Sequence, residues 1–221
     1  MFAEAALSRA VLVVEGATEA AVFPAASAVM EAGLTPNSYA YFDLAGSTVF
    51  NAGGDGSVPK CGPIFELLGK QAFAFYDKPK TPLSAEATEQ LSGYLAAWES
   101  PESGIEKVLV NETPISTLRR FLKDVKDRAD YPSKLPKIVA GMAEDHVRQL
   151  AEKVLIARKG DAGGYGALLL EQCSSAAEIP ATIRMVLEAI HAALLPTVPA
   201  SASQTPGPAS EAGTAAMATG E

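Results

Sequence analysis

The nine residues Val11-Leu-Val-Val-Glu-Gly-Ala-Thr-Glu19 constrain this chain more than any other stretch. A continuous apolar run, rich in β-branched residues, stops at a carboxylate; a glycine then frees the backbone to turn, and a second carboxylate comes four residues after the first. Such a run reads as a strand buried on both faces, as in a parallel sheet covered by helices. Open α/β sheets gather ligands at the carboxyl ends of their strands. Glu15 therefore stands where chemistry is usual, and Glu19 falls on the first turn of the next element. Two acids so placed offer the oxygen donors that a hard divalent cation selects. The same pattern also suits a solvated strand end leading into a helix whose positive pole Glu19 complements. Taken alone, these residues leave both readings open.

A second run, Gln71-Ala-Phe-Ala-Phe-Tyr76, reads as another buried strand and ends at Asp77. It comes after a helix-like stretch at Ile64–Leu68 and a Gly-Lys break. Parallel strands share their carboxyl-terminal side, so Asp77 is expected beside Glu15 and Glu19. Two more strands are predicted, at Ser38–Leu44 and Glu106–Asn111, with the first at Ala10–Val14. Alternation with helix-like segments predicts a mostly parallel α/β sheet. On this reading Asp43 ends the second strand and Glu112 comes just after the fourth, both on the acid-bearing edge.

The motif Val13-Val-Glu-Gly-Ala-Thr-Glu19, with Phe75-Tyr-Asp77 about sixty residues later, resembles a Toprim domain, the catalytic fold of primases, topoisomerases and several nucleases. The Glu-Gly-x-Thr-Glu form is most like the OLD (overcoming lysogenisation defect) family, and within it class 2. Members of that family join an amino-terminal ABC-type ATPase to a carboxyl-terminal Toprim nuclease. The stretch Leu155–Glu171, in which Lys159 precedes a small-residue turn and a helix, is similar to that family's late segment. The resemblance spans roughly residues 9–195.

The resemblance implies a metal-dependent DNA endonuclease that hydrolyses phosphodiesters with two Mg²⁺ or Mn²⁺ ions. Glu15, Glu19 and Asp77 would hold the ions, and Lys159 would offset negative charge developing on the phosphate. DNA is then the substrate, the ATPase region lies outside this chain, a helicase is a possible partner, and the setting is phage defence or DNA repair. One departure stands out. Toprim domains usually carry Asp-x-Asp at the second acidic strand end, whereas this chain reads Asp77-Lys-Pro-Lys80. Two divalent ions bring up to four positive charges, against three acids, so a fourth acid is expected nearby. Asp43 is the first choice and Glu112 the second. Asp43-Leu-Ala-Gly-Ser-Thr48 resembles the strand-turn that Toprim nucleases place near their metals; Gly46 would permit the turn and Ser47 would hydrogen-bond there. The missing acid also favours a rival of another class, a catalytically silent Toprim scaffold in a repair or recombination assembly. A primase- or topoisomerase-type Toprim ranks below both, for want of a companion tyrosine domain or zinc module.

Composition bounds the rest. At 48% hydrophobic residues the chain can bury a sizeable core. No apolar run approaches the ~18–20 residues that span a bilayer, and no basic start precedes an apolar segment. Cys61 and Cys173 lack metal-ligand spacing, which suits reduced thiols in a cytoplasmic protein. With only His146 and His191 and no His/Cys cluster along the chain, neither a structural zinc site nor a Cys-His protease is expected. No phosphate-loop motif is present, so no ATPase is expected here. A net charge of −8 opposes nucleic-acid binding unless Lys78, Lys80, Arg119, Arg120, Lys123 and Lys126 assemble a local basic surface.

Further helices are predicted at Ser84–Glu99, Ile115–Val125, Leu135–Arg158, Gly163–Cys173 and Ile179–Leu195, with a loop over residues 49–63. The expected organisation is an α/β Toprim core over 9–114, an additional helical subdomain over 115–160, terminal helices over 161–195 that complete the core, and a disordered tail over 196–221.

Overall fold

A computed structural model describes residues 2–33, 39–54, 56–159 and 164–195; the expected tail lies outside the described residues. Four parallel strands form one sheet in the order β2-β1-β3-β4: β1 Ala10–Val14, β2 Ser47–Asn51, β3 Gln71–Tyr76 and β4 Ala96–Glu99. Helices α1 Phe2–Leu7, α2 Ala17–Gly33, α3 Ser57–Leu67 and α4 Ala85–Leu91 alternate with these strands. Beyond them come α5 Ile105–Glu112, α6 Ile115–Val125, α7 Glu144–Ala157, α8 Gly164–Glu171, a 3₁₀ turn at Ala176–Glu178, and α9 Ala181–Leu194.

The two central strands match their sequence expectations residue for residue, because both faces are buried and nothing interrupts the apolar run. Alternation divides the core. Leu12, Val14, Phe73 and Phe75 face α2, where Phe23 meets Phe75 edge-on at 5.3 Å between ring centroids. Val11, Val13, Ala72 and Ala74 face α3, with Phe65 and Tyr94 completing a smaller cluster. The larger cluster continues through α5, α6, α7, α8 and α9, so the late helices share one apolar core with the sheet. Close approach depends on glycine at α8: a Cβ at Gly166 would lie 2.8 Å from Val22 Cγ2 on α2.

Several expectations fail, each for a physical reason. The strand expected at Ser38–Leu44 is not one: residues 39–46 turn back and forth. Tyr39 and Phe42 are buried for another reason, since the Ser27 hydroxyl bonds the Tyr39 hydroxyl and accepts from the Phe42 N–H. The true second strand, Ser47–Asn51, runs from the stretch read as a turn into the one read as loop, where α3 also starts. It is an edge strand, mostly half-buried, and carries no apolar run to announce itself. The expected strand at Glu106–Asn111 is helix α5. Ile105, Val108, Leu109 and Val110 are all buried, so the consecutive run Val108-Leu-Val110 mimics a strand in a short helix. The expected helix at Ser84–Glu99 ends at Leu91, and Trp98 lies on strand β4, stacked on Phe73. The helix expected from Leu135 begins only at Glu144.

Candidate active site

Strand β1 ends at Val14 and pairs with Phe75 of β3, so Glu15 and Asp77 leave the same sheet edge side by side. The Asp77 N–H donates to Glu15 Oε1 at 3.2 Å, tying the two strand ends together. Beyond β2 the chain also stays at this edge. Ala52 N–H donates to the Val14 carbonyl and Gly54 N–H to that of Glu15, while Gly53, Gly54 and Gly56 take the left-handed backbone conformations that glycine permits.

Glu19 lies in the first turn of α2 and is only 4% exposed. A Cβ at Gly16 would stand 2.9 Å from Glu19 Oε2, so the glycine leaves room for that carboxylate. Burial pushes the Glu19 carboxyl up to about 7; a hydrogen bond from its own backbone N–H opposes this, Asp77 and Glu106 add to it, and Lys159 opposes it.

A fourth acid lies beside these three: Glu106, also 4% exposed, in the first turn of α5. Its Oε2 accepts from Lys159 Nζ at 3.2 Å. Its Oε1 is buried with no hydrogen-bond partner among the described residues. Glu106 Oε2 and Asp77 Oδ2 lie 3.2 Å and 3.9 Å from the place a Cβ on Gly104 would occupy. The bare backbone at Gly104 thus lets two carboxylates approach one another. Lys159 lies just past the end of α7 and is half exposed. Partial burial pulls its pKa down, but Glu106, then Glu19 and Asp77, outweigh this and hold it above the ordinary lysine range. It stays cationic among the acids.

Sequence reasoning placed Glu15, Glu19, Asp77, Lys159 and Gly16 in one neighbourhood, and the structure brings them together. Asp43 it does not. Asp43 is exposed in a turn whose Gly46 carbonyl accepts from Arg9 and Ala10, at the amino end of β1. Ser47 pairs with Ala10, so Asp43, Gly46 and Ser47 stand at the far end of the strands, roughly 16 Å from Glu15 at the usual rise. Glu112 is also elsewhere: it closes α5 and accepts from the N–H and hydroxyl of Thr182 at the start of α9. Glu106 was hidden by its apparent strand; the signal that could have found it is Gly104-Ile-Glu106, a break and then a first-turn acid.

The expected basic surface divides in the same way. Arg119 donates to the Met142 carbonyl, Arg120 pairs with Glu178, and Lys126 lies 3.9 Å from Asp127. Lys78, Lys80 and Lys159 instead line a cleft of about 410 Å³ together with Glu15, Asp77, Thr81 and Ser103. The histidines are remote. His191 accepts from the Ala40 N–H and stacks on Tyr39, and His146 lines a separate depression with Met142 and Leu150.

Among the described residues no three carboxylates, imidazoles or thiolates are already gathered as ligands around one point. Glu15 accepts from the Asp77 N–H, Glu19 from its own backbone, and one oxygen of Glu106 from Lys159. The donor chemistry nevertheless fits a hard divalent cation, with four carboxylates at one edge and a buried Glu106 oxygen that no described group donates to.

Residues 7–78 match the family described as Overcoming lysogenization defect protein-like, TOPRIM domain. The fold is similar to that of the C-terminal region of the Burkholderia pseudomallei OLD protein, at 17% identity and a TM-score of 0.52, over 85% of this chain and 98% of that one. It is likewise similar to the C-terminal region of the Xanthomonas campestris pv. campestris OLD protein, at 18% identity and a TM-score of 0.51, over 86% of this chain and 96% of that one. No curated protein sequence matches the chain. Among the described residues no helix is long and apolar enough to cross a membrane.

Proposed function

We propose that this chain, in which residues 7–78 form an OLD-like TOPRIM domain, is the nuclease region of an OLD-type ATPase-nuclease, cutting DNA with the help of two Mg²⁺ or Mn²⁺ ions. The observation that carries this reading is the assembly of Glu15, Glu19, Asp77 and Glu106 at one sheet edge with Lys159 bonded among them. Burying acids this close together is unfavourable unless a cation joins them.

Glu15 and Asp77 reach the cleft and would hold the ions from its floor, with Glu19 and Glu106 behind them. Divalent ions bound there would supply Lewis-acid polarisation of the phosphate and a water of lowered pKa. The protein's own contributions come from geometry. Gly16 and Gly104 keep space open for carboxylates, the sheet edge fixes two of the acids in register, and Lys159 aims a permanent positive charge where negative charge develops on the phosphate. An amino-terminal ABC-type ATPase region and a helicase partner belong to the same reading, which is supported by likeness to regions called C-terminal in OLD proteins.

The test is cleavage of supercoiled plasmid by the purified chain with Mn²⁺, Mg²⁺, Ca²⁺ or chelator, alongside calorimetric titration of Mn²⁺. Nicking with Mn²⁺ or Mg²⁺ that disappears in Glu15→Ala is the expected result. Undiminished nicking by that variant would falsify the assignment. The rival, a silent scaffold, draws support from Pro79 standing where the second acid of Asp-x-Asp usually falls. It predicts neither nicking nor Mn²⁺ heat.

A further inference from the structure

The segment after Asp77 lacks the usual second acid, yet the structure gives it content of its own. Lys78-Pro79-Lys80 lines the cleft together with Glu15, Asp77 and Lys159. Lys78 and Lys80 are exposed, and neither has an ion-pair or side-chain hydrogen-bond partner among the described residues. This holds although acids line the same cleft. The turn is nevertheless fixed: Lys78 N–H donates to the Glu102 carbonyl at 3.0 Å, and Pro79 locks its own φ. Thr81 and Ser103 add hydroxyls to the same wall.

A phosphodiester strand approaching this edge meets four acids, and the chain carries a net charge of −8. Repulsion would dominate without local cations. Two of the other basic side chains expected to help are committed elsewhere, Arg119 to a carbonyl and Arg120 to Glu178. Lys78 and Lys80 are cations at the cleft with no competing partner among the described residues, and Lys159 shares the cleft with them.

We infer that Lys78 and Lys80 form a phosphate-binding pair that holds the substrate strand beside the acidic floor, taking over through backbone phosphates part of the anchoring that a second acid and its ion would otherwise give. This rests on the nuclease reading for its substrate but not for its readout. Phosphate contacts are indifferent to base sequence and release counterions, so they are reported by salt dependence.

The experiment measures fluorescence anisotropy of labelled single-stranded and duplex oligonucleotides with the whole chain, in chelator, over a range of monovalent salt beginning at low ionic strength. For Lys78→Gln/Lys80→Gln, binding should weaken equally across unrelated sequences. The log–log salt slope should shrink by about 1.4 for single strands and about 1.8 for duplex. Lys78→Arg/Lys80→Arg should keep the slope, and Lys153→Gln on α7, away from the cleft, should leave it unchanged. An unaltered slope in the double glutamine variant, with a melting temperature equal to that of the parent, overturns the inference. The two readings separate cleanly: Mn²⁺-dependent nicking with an unaltered slope sinks the lysine pair alone, whereas a reduced slope in a chain that neither nicks nor binds Mn²⁺ sinks the nuclease reading alone.

Discussion

Glu178 and Glu19 are both carboxylates drawn against the body of the protein, and their surroundings push them in opposite directions. Glu178 Oε2 accepts from the Ser174 N–H at 2.8 Å, from the Thr117 hydroxyl at 3.0 Å and from Arg120 at 2.5 Å. The backbone donor foremost, with Thr117 and Arg120, holds its carboxyl below the usual range. Glu19 is more deeply buried, faces Asp77 and Glu106, and is pushed up to about 7. One acid joins α6 to the 3₁₀ turn and is satisfied by the protein itself. The other stands in a group of four carboxylates in which Glu106 is bonded to Lys159. The first arrangement holds two elements together; on the proposed reading the second holds a cation.

The largest break in that comparison should come from Glu106→Gln. If Glu106 belongs to the cation-binding group, the substitution should lower Mn²⁺-dependent nicking by about 10–100-fold, as loss of a metal-supporting group typically does, and weaken Mn²⁺ binding by titration calorimetry. Wild-type nicking in a folded Glu106→Gln chain would detach α5 from the site.

Glu19→Gln should separate stability from function. A group whose folded pKa is raised stabilises the fold fully below its unfolded value and loses that contribution as pH rises through the folded value. Between 4.5 and about 7 the difference is worth up to about 3 kcal/mol, at about 1.4 kcal/mol per pH unit. In chelator at pH 8 the variant should therefore melt several degrees above the parent, with the gap closing by pH 4.5. Saturating Mn²⁺ should reverse the order. A variant less stable than the parent in chelator at pH 8 would show that Glu19 is structural.

Glu178→Ala is the mirror experiment. Removing three donors' shared acceptor at this partly exposed position should lower stability by about 1–3 kcal/mol at pH 7 without changing metal affinity. Because the folded pKa is depressed, the stabilisation is present above the ordinary carboxylate value and is lost as pH falls through the lower folded one. The melting gap between parent and variant should narrow below pH 4.5. A gap independent of pH would assign the loss to packing.

These contrasts show what the sequence could express. Glu15 and Asp77 were legible because β1 and β3 are buried on both faces, and each apolar run ends at an acid. The edge strand Ser47–Asn51 was not, since a half-buried strand has no such run. Helix α5 was misread because Val108-Leu-Val110 run consecutively like a strand, while only Lys107 and Asn111 mark its exposed face. That error hid Glu106 and promoted Glu112. Lys159 was legible only through likeness to a family segment; its bond to Glu106 depends on α7 and α5 lying together, a long-range fact that no local pattern contains.

The smallest expected effect is the most direct check on the redrawn sheet edge. Asp43 is exposed in the turn before β2, at the amino end of the strands, so Asp43→Asn should change nicking by no more than about twofold, the range of an ordinary surface substitution. Glu112→Gln tests the same correction from the other side. Its carboxylate accepts from Thr182 at the start of α9, where a lost cap costs about 0.5–2 kcal/mol. Glutamine retains one acceptor oxygen, so the cost should fall at the low end and appear as a small drop in melting temperature, with metal affinity and nicking unchanged. If Asp43→Asn abolishes nicking in a chain that melts normally, the amino end of the strands carries the chemistry, and the four acids at the carboxyl end have been assigned the wrong role. If Glu112→Gln does so instead, the start of α9 must move to the cleft on binding DNA or metal. Both variants cleaving like the parent leaves Glu106 as the acid that fills the place of the missing aspartate.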